Sequence, residues 1–151
     1  AAAAGGASAS VTVDLSNTYL DWARRNLAAN GLDDARHELV REDVFAWLDA
    51  AMAAGERFGL ILLDPPSFSN SKRMRETLDV QRDHPRLINQ CLALLEPGGE
   101  LYFSTNRRRF RLYADELRPC VVSEITDRTV PEDCARHRPH RCWLLRHEEN
   151  T

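Results

Sequence analysis

The segment Asp64-Pro65-Pro66-Ser67-Phe68 follows directly on four apolar residues, Leu60 to Leu63, and its make-up is the feature of this chain best suited to chemistry. Each proline fixes its own φ and pushes the residue before it to extended backbone, so the carbonyls here point in set directions with little entropy left to lose. Phe68, among serines, offers a ring on which a flipped-out base can stack. The apolar run is short enough for a buried strand of a parallel sheet, and the prolines end it at Asp64. Lys72, Arg73 and Arg75 extend the same loop with positive charge.

Two further acids have a similar placing. Asp14 closes the apolar stretch Val11 to Val13, and Asp43 stands between a weak strand, Glu38 to Arg41, and the apolar-rich "VFAWLDAAMAAG". Either acid also serves simply to start the helix that follows. Three carboxylates at three successive strand ends nevertheless suit a nucleoside cofactor, whose ribose hydroxyls and adenine amine all need acceptors. In parallel sheets ligands sit beyond the carboxyl ends of the strands.

A third cluster is "NRRRFR", which sets Arg107, Arg108, Arg109 and Arg111 around Phe110 just after "ELYFST". Guanidinium groups hold phosphates or stack on bases, and Phe110 adds a stacking face. The case for a nucleic-acid partner has to be local, since 20 Lys and Arg against 23 Asp and Glu give a net charge of −3. A fourth cluster, "CARHRPHRC", carries Cys134, His137, His140 and Cys142. Its spacing is not that of a familiar zinc finger and Pro139 hinders closure, so no metal is expected, and Arg136, Arg138 and Arg141 are read as facing RNA or solvent.

Alternating strands and helices must position these residues. After the strand at Val11 to Val13, Ser16 caps a helix with Tyr19, Leu20, Ala23 and Leu27 on one face, stopped at Gly31. Asp43 caps the second helix, and "FGLILLD" is the third strand. Asp83 is expected to cap a helix bearing Leu87, Ile88, Cys91, Leu92 and Leu95, broken by "EPGG" ahead of the strand "ELYFST". "RLYADELR" reads as a short helix, and "VVSEIT" and "CWLLRH" as strands. The expected architecture is α/β, a parallel sheet with helices on both faces. At 151 residues, 43% hydrophobic and 28% charged, the chain makes one globular domain. No run of 18 apolar residues and no signal peptide is present, so no membrane partner and a cytoplasmic location are expected, with the four cysteines as reduced thiols.

The order "VDLS", "EDVFAWL", "LDPPSFSNSK" and "LYFSTNRRRF" resembles the class I S-adenosylmethionine-dependent methyltransferases, which have a Rossmann-like sheet. "LDPPSFSNSKRM", "DVQRDH" and "EDCARHRPHRCWLL" are similar, more closely, to the C-terminal guanine-N7 methyltransferase domain of bacterial bifunctional 23S ribosomal RNA guanine methyltransferases. The resemblance implies S-adenosylmethionine as cofactor and S-adenosylhomocysteine as product. It implies Asp14, with Leu15 and Ser16, on the ribose; Asp43, with Val44, on the adenine; and Asp64 and Pro65 near the sulfonium. Pro66, Ser67 and Phe68 would floor the base pocket, with Lys72, Asn106, Arg107, Arg108, Arg109 and Phe110 toward the RNA. The family's first strand and Gly-rich loop have no counterpart in residues 1–151. They would lie upstream of Ala1, with an RNA-binding module and a second methyltransferase half. In that family the first strand lies centrally, so two unpaired sheet edges are expected here.

The residues also bear on the target atom. Pyrimidine C5 needs a cysteine thiolate, yet Cys91 falls within a helix, and Cys120, Cys134 and Cys142 lie far along the chain from the loops. An amine target is usually served by an aromatic where this loop has Ser67. Guanine N7 carries a lone pair and no proton, and asks only for placement. Guanine N2, cytosine C5, a DNA base or a non-catalytic RNA-binding role stay open as alternatives.

Overall fold

The computed structural model describes residues 2–70, 77–134 and 139–148, in two compact units, residues 1–47 and 48–151. Lys72, Arg73 and Arg75, together with Arg136, His137 and Arg138, lie outside the described residues.

In the first unit, β1 (Ser10–Val13) pairs in parallel with β2 (His37–Val40), joined by α1 (Asn17–Ala29). Ser16 caps α1 by accepting from the Tyr19 amide, and the chain leaves the helix through Gly31, whose φ of 65° an L side chain rarely adopts. Leu20 is the buried residue of α1. Tyr19 is exposed, contrary to the apolar face expected from sequence, and its ring lies 5.7 Å from that of Trp22. α2 (Val44–Ala54) then starts at Asp43, whose Oδ1 accepts from the Phe45 and Ala46 amides.

The second unit is built on a four-stranded sheet in the order β3 (Phe58–Leu63), β6 (Leu95–Thr105), β8 (Arg141–Arg146) and β7 (Val121–Glu124). β3 and β6 are parallel, and β8 runs antiparallel to both its neighbours. Among the described residues β1 pairs with β2, and β3 pairs with β6. Pairing of Ile61 with Leu101 and Leu63 with Phe103 puts these side chains on one face, on which α3 (Val80–Leu94) packs. Leu87, Ile88, Cys91, Leu92 and Leu94 of α3 are buried there, at the spacing of one helical face. On the opposite face Cys142, Leu144 and Ile125, the last at the start of α4 (Thr126–Thr129), form a smaller cluster with Tyr102.

α3 departs from the sequence reading at its start. It starts at Val80, one turn before the expected Asp83, and Asp79 is its cap, accepting from the Gln81 amide at 2.8 Å. Asp83 instead reaches back to accept from the Asp79 amide at 2.8 Å, a reciprocal arrangement of the capping-box kind. A short ladder lies between the "DPP" loop and the helix. β4 (Phe68–Ser69) pairs antiparallel with β5 (Leu78–Asp79), so Phe68 stands opposite Asp79. "RLYADELR" is reduced to a 3-10 turn at Ala114–Glu116.

Candidate active site

The candidate residues divide between the two units. In the first, Asp14 follows β1, and its Oδ1 accepts from the Ser16 amide at 2.7 Å. Its own amide donates to the Val40 carbonyl at 3.1 Å, which extends the pairing of β1 with β2 by one residue. Leu15 is tied down by Arg41, whose Nε donates to the Leu15 carbonyl at 3.2 Å. Asp43 is 2% exposed. While its Oδ1 caps α2, its Oδ2 is buried and has no hydrogen-bond partner among the described residues. A buried acceptor of this kind costs free energy unless something donates to it. The acceptors of this unit therefore fit an adenosyl group: the orphan Oδ2 of Asp43 for an amine, and a second carboxylate at Asp14.

In the second unit, two cross-links fasten the "DPP" loop to the end of β6 and the residue that follows it. Ser104 Oγ donates to Asp64 Oδ1 at 2.7 Å, and Ser67 Oγ donates to Asn106 Oδ1 at 2.7 Å. A third joins the return of the loop to the arginine run: Arg107 Nη1 donates to Asp79 Oδ1 at 2.6 Å in a half-buried ion pair. With its backbone tied on both sides, Phe68 presents a 58% exposed ring.

The arginine run divides by conformation. Arg109 has a φ of 58°, a left-handed backbone that costs a non-glycine residue on the order of 1 kcal/mol. Arg108 and Arg109 are exposed and form no ion pair among the described residues, whereas Phe110 is turned inward and only 3% exposed. Phe110 lies 4.7 Å from the ring of His84, 5.6 Å from Phe103 and 5.4 Å from Trp143. The expectation that Phe110 stacks on RNA is thus corrected, because its ring is spent in an aromatic core. Arg107 is likewise committed to Asp79, which leaves Arg108, Arg109 and Arg111 as the outward guanidinium groups.

Arg141, expected to face RNA or solvent, pairs with Glu124 at 2.7 Å, lies 4.6 Å over the Trp143 ring and donates to the Phe110 carbonyl. His140 shares a 2.9 Å hydrogen bond with Thr129 Oγ1. Among the described residues no cluster of metal-ligating side chains is found.

Distance along the chain misleads for one cysteine. Cys142 is opposite Ser104 in the pairing of β8 with β6, one side chain away from the carboxylate of Asp64. It is buried, and burial pushes its thiol above the ordinary range, so it is not a ready thiolate. Burial pushes Cys91 up to about 12.

Residues 1–129 match the sequence pattern of the S-adenosylmethionine-dependent methyltransferases. The chain belongs to this family. It is 53% identical over 151 residues to the ribosomal RNA large subunit methyltransferase K/L of Allochromatium vinosum, covering 99% of this chain and 20% of that protein. It is also 53% identical over 147 residues to the ribosomal RNA large subunit methyltransferase K of Neisseria meningitidis, covering 97% of this chain and 42% of that protein. The chain therefore spans a fifth to two fifths of the length of these curated relatives. Among solved structures, SMU.776, described as a methyltransferase and crystallised with SAH, superposes with a TM-score of 0.74 at 26% identity, over 95% of this chain and 40% of that one. A methyltransferase from Agrobacterium tumefaciens, at 22% identity and a TM-score of 0.73 over 99% of this chain and 51% of that one, has the same fold. These likenesses establish the Rossmann-like methyltransferase fold for this family member. No helix among the described residues is long and apolar enough to cross a membrane.

The methyltransferase motifs pointed to Asp14, Asp43 and the "DPPSF" loop, whereas Ser104 was not singled out and Asp79, Gln81 and His84 entered only within "DVQRDH", with no role given to any of them. Ser104 had one signal: it is the outward polar residue of a strand that runs parallel to the strand ending at Asp64. His84 had another, the proline that follows it.

Proposed function

We propose that this chain is part of a large-subunit ribosomal RNA methyltransferase that methylates a guanine at N7, using S-adenosylmethionine and releasing S-adenosylhomocysteine. The observation that carries this reading is the make-up of the loop after β3. It has an exposed ring at Phe68 on a backbone stiffened by two prolines, and its carboxylate, Asp64, is already engaged by Ser104. The thiol beside that carboxylate, Cys142, is buried. Such a loop suits a target atom that needs neither a base nor a nucleophile, and guanine N7 is one. Identity of 53% to two ribosomal RNA large subunit methyltransferases supports the substrate class.

In this reading the Asp14 carboxylate, beside Leu15 and Ser16, accepts from the ribose hydroxyls, and Asp43 Oδ2, beside Val44, accepts from the adenine amine. Asp64 and Pro65 line the approach to the reacting methyl group, their directions held by Ser104 and Pro66. Bound S-adenosylmethionine supplies an electrophilic methyl group on a sulfonium. Phe68 stacks on the guanine, Ser67 and Asn106 fix the pocket wall, and Arg108 and Arg109 take phosphates. Catalysis is then placement of the N7 lone pair in line with the methyl group, in a site suited to the change in charge. Residues 1–151 act within one methyltransferase domain of a longer cytoplasmic protein, whose other regions assist RNA binding.

The test is to incubate the full-length protein with labelled S-adenosylmethionine and unmodified large-subunit RNA, small-subunit RNA or duplex DNA. Label confined to large-subunit RNA is expected. Label in DNA alone, or salt-sensitive RNA binding with no transfer, would overturn the reading.

A further inference from the structure

The segment from Arg107 to Arg118 is largely irregular, yet its backbone is held at closely spaced points, by Arg141 at the Phe110 carbonyl and otherwise mostly by side chains of one element, α3. Gln81 bonds Arg111 twice, its Nε2 donating to the carbonyl at 2.8 Å and its Oε1 accepting from the amide at 2.9 Å. His84 Nε2 accepts from the Tyr113 amide at 3.0 Å. Asn89 Nδ2 donates to the Glu116 carbonyl at 2.9 Å, and Asn89 Oδ1 accepts from the Arg118 amide at 2.7 Å. With Asp79 holding Arg107, the side chains of α3 and its cap take the place of a partner strand for the segment that carries the arginines.

His84 is the buried member of this set, and its tautomer follows from the residue after it. Pro85 has no amide proton, so the Gln81 carbonyl loses its helical donor. His84 Nδ1 lies 3.0 Å from that carbonyl and 3.0 Å from the Val80 carbonyl, and both are acceptors only. Nδ1 therefore carries the proton and Nε2 is a bare acceptor, as the Tyr113 amide requires. The ring is enclosed by Phe110, Tyr113 and Phe103.

We infer that His84, in its neutral Nδ1-protonated form, is a positioning residue for RNA recognition, fixing the backbone that presents Arg108 and Arg109. The inference rests on the reading of those arginines as the RNA-binding edge. A second proton on Nε2 would face the Tyr113 N–H and break the hold. Burial already disfavours the charged ring, against the carbonyls of Val80 and Gln81 and the carboxylates of Glu116 and Asp83, which favour it. The Tyr113 ring, 5.0 Å from that of His84, brings a further titratable hydroxyl beside it, and β6, packed on α3, carries Glu96, Glu100 and Tyr102.

The test uses the full-length protein with unmodified large-subunit RNA. His84→Leu removes both ring nitrogens, and His84→Gln keeps an acceptor for the Tyr113 amide. His84→Leu is expected to raise KM for RNA about tenfold, the loss of one buried hydrogen bond, with kcat changed less than about twofold. His84→Gln is expected to restore KM to within about threefold of the parent and to flatten the rise in KM expected of the parent once the pH falls below the ordinary histidine range. If His84→Leu folds and leaves KM unchanged, the inference is wrong. If His84→Leu does not fold, the pH profile of His84→Gln decides, and an acid limb the same as the parent's is the overturning result. An Arg108→Ala, Arg109→Ala double variant separates the two layers: unchanged RNA affinity there sinks the RNA-binding edge itself, whereas lost affinity there with a silent His84→Leu sinks only the latch.

Discussion

Ser104 Oγ donates to Asp64 Oδ1 at 2.7 Å across two parallel strands, linking residues 40 positions apart in the chain. The bond fixes the rotamer of the carboxylate at the head of the "DPP" loop. It also ties the loop to the strand that leads into the arginine run. Ser104→Ala is expected to lower kcat about tenfold while shifting stability by less than about 1 kcal/mol, since the bond is exposed. Steady-state kinetics beside thermal melting checks the split, and a fall in stability without a fall in kcat would assign Ser104 to folding.

Asp43 caps α2 with Oδ1 and, in the proposed reading, accepts from the cofactor with Oδ2, and substitutions separate the two. Asp43→Ala loses the cap of α2, at a cost of about 1 kcal/mol, and also the orphan acceptor. Asp43→Asn keeps a capping oxygen but turns an amide toward the place of Oδ2. The expected outcome for Asp43→Asn is near-normal melting with S-adenosylmethionine affinity reduced at least about tenfold, read by calorimetry.

Phe68 and Phe110 look alike in the sequence, each an aromatic among polar or basic neighbours, and their environments are opposite. Phe110→Ala should cost about 3 to 5 kcal/mol of stability by emptying the aromatic core around His84 and Trp143. Phe68→Ala should leave stability within about 0.5 kcal/mol and weaken RNA binding by about 1 to 3 kcal/mol. Denaturant melts and RNA titrations on both variants check the contrast.

Burial of His84 holds its imidazole below the ordinary 6.5, so the chain's stability depends on pH with a definite sign. Above that value His84 is neutral whether folded or unfolded, and its contribution is complete. As pH falls below it, the unfolded chain takes up a proton that the folded chain refuses. Stability then drops by at most about 1.4 kcal/mol per pH unit, until the pH passes the folded value. Denaturant melts between pH about 7.5 and 5.5 should show a smaller loss in His84→Gln than in the parent.

The strands leading to Asp14 and Asp64 were legible because each couples an apolar run to a polar stop, and Ser16 and Gly31 carried the ordinary signals of a helix start and end; the strand before Asp43, half polar, was read one residue late. The start of α3 was misplaced because Asp79 and Asp83 are both good caps, and only the β4 and β5 ladder brings the chain in at Asp79. Phe110 was misread because local composition reports its arginine neighbours, while its burial follows from the left-handed turn at Arg109 and the ring of His84. Cys142 was misjudged for a related reason, since register across antiparallel strands brings together residues far apart in the chain.

The most direct measurement is to label unmodified large-subunit RNA with the full-length protein and S-adenosylmethionine, then map the label against chain cleavage specific for N7-methylguanine. Label and cleavage are expected at one and the same guanine, both abolished by Asp14→Ala. Label without cleavage at that position would move the methyl group to an amine or a carbon and overturn the assignment of N7.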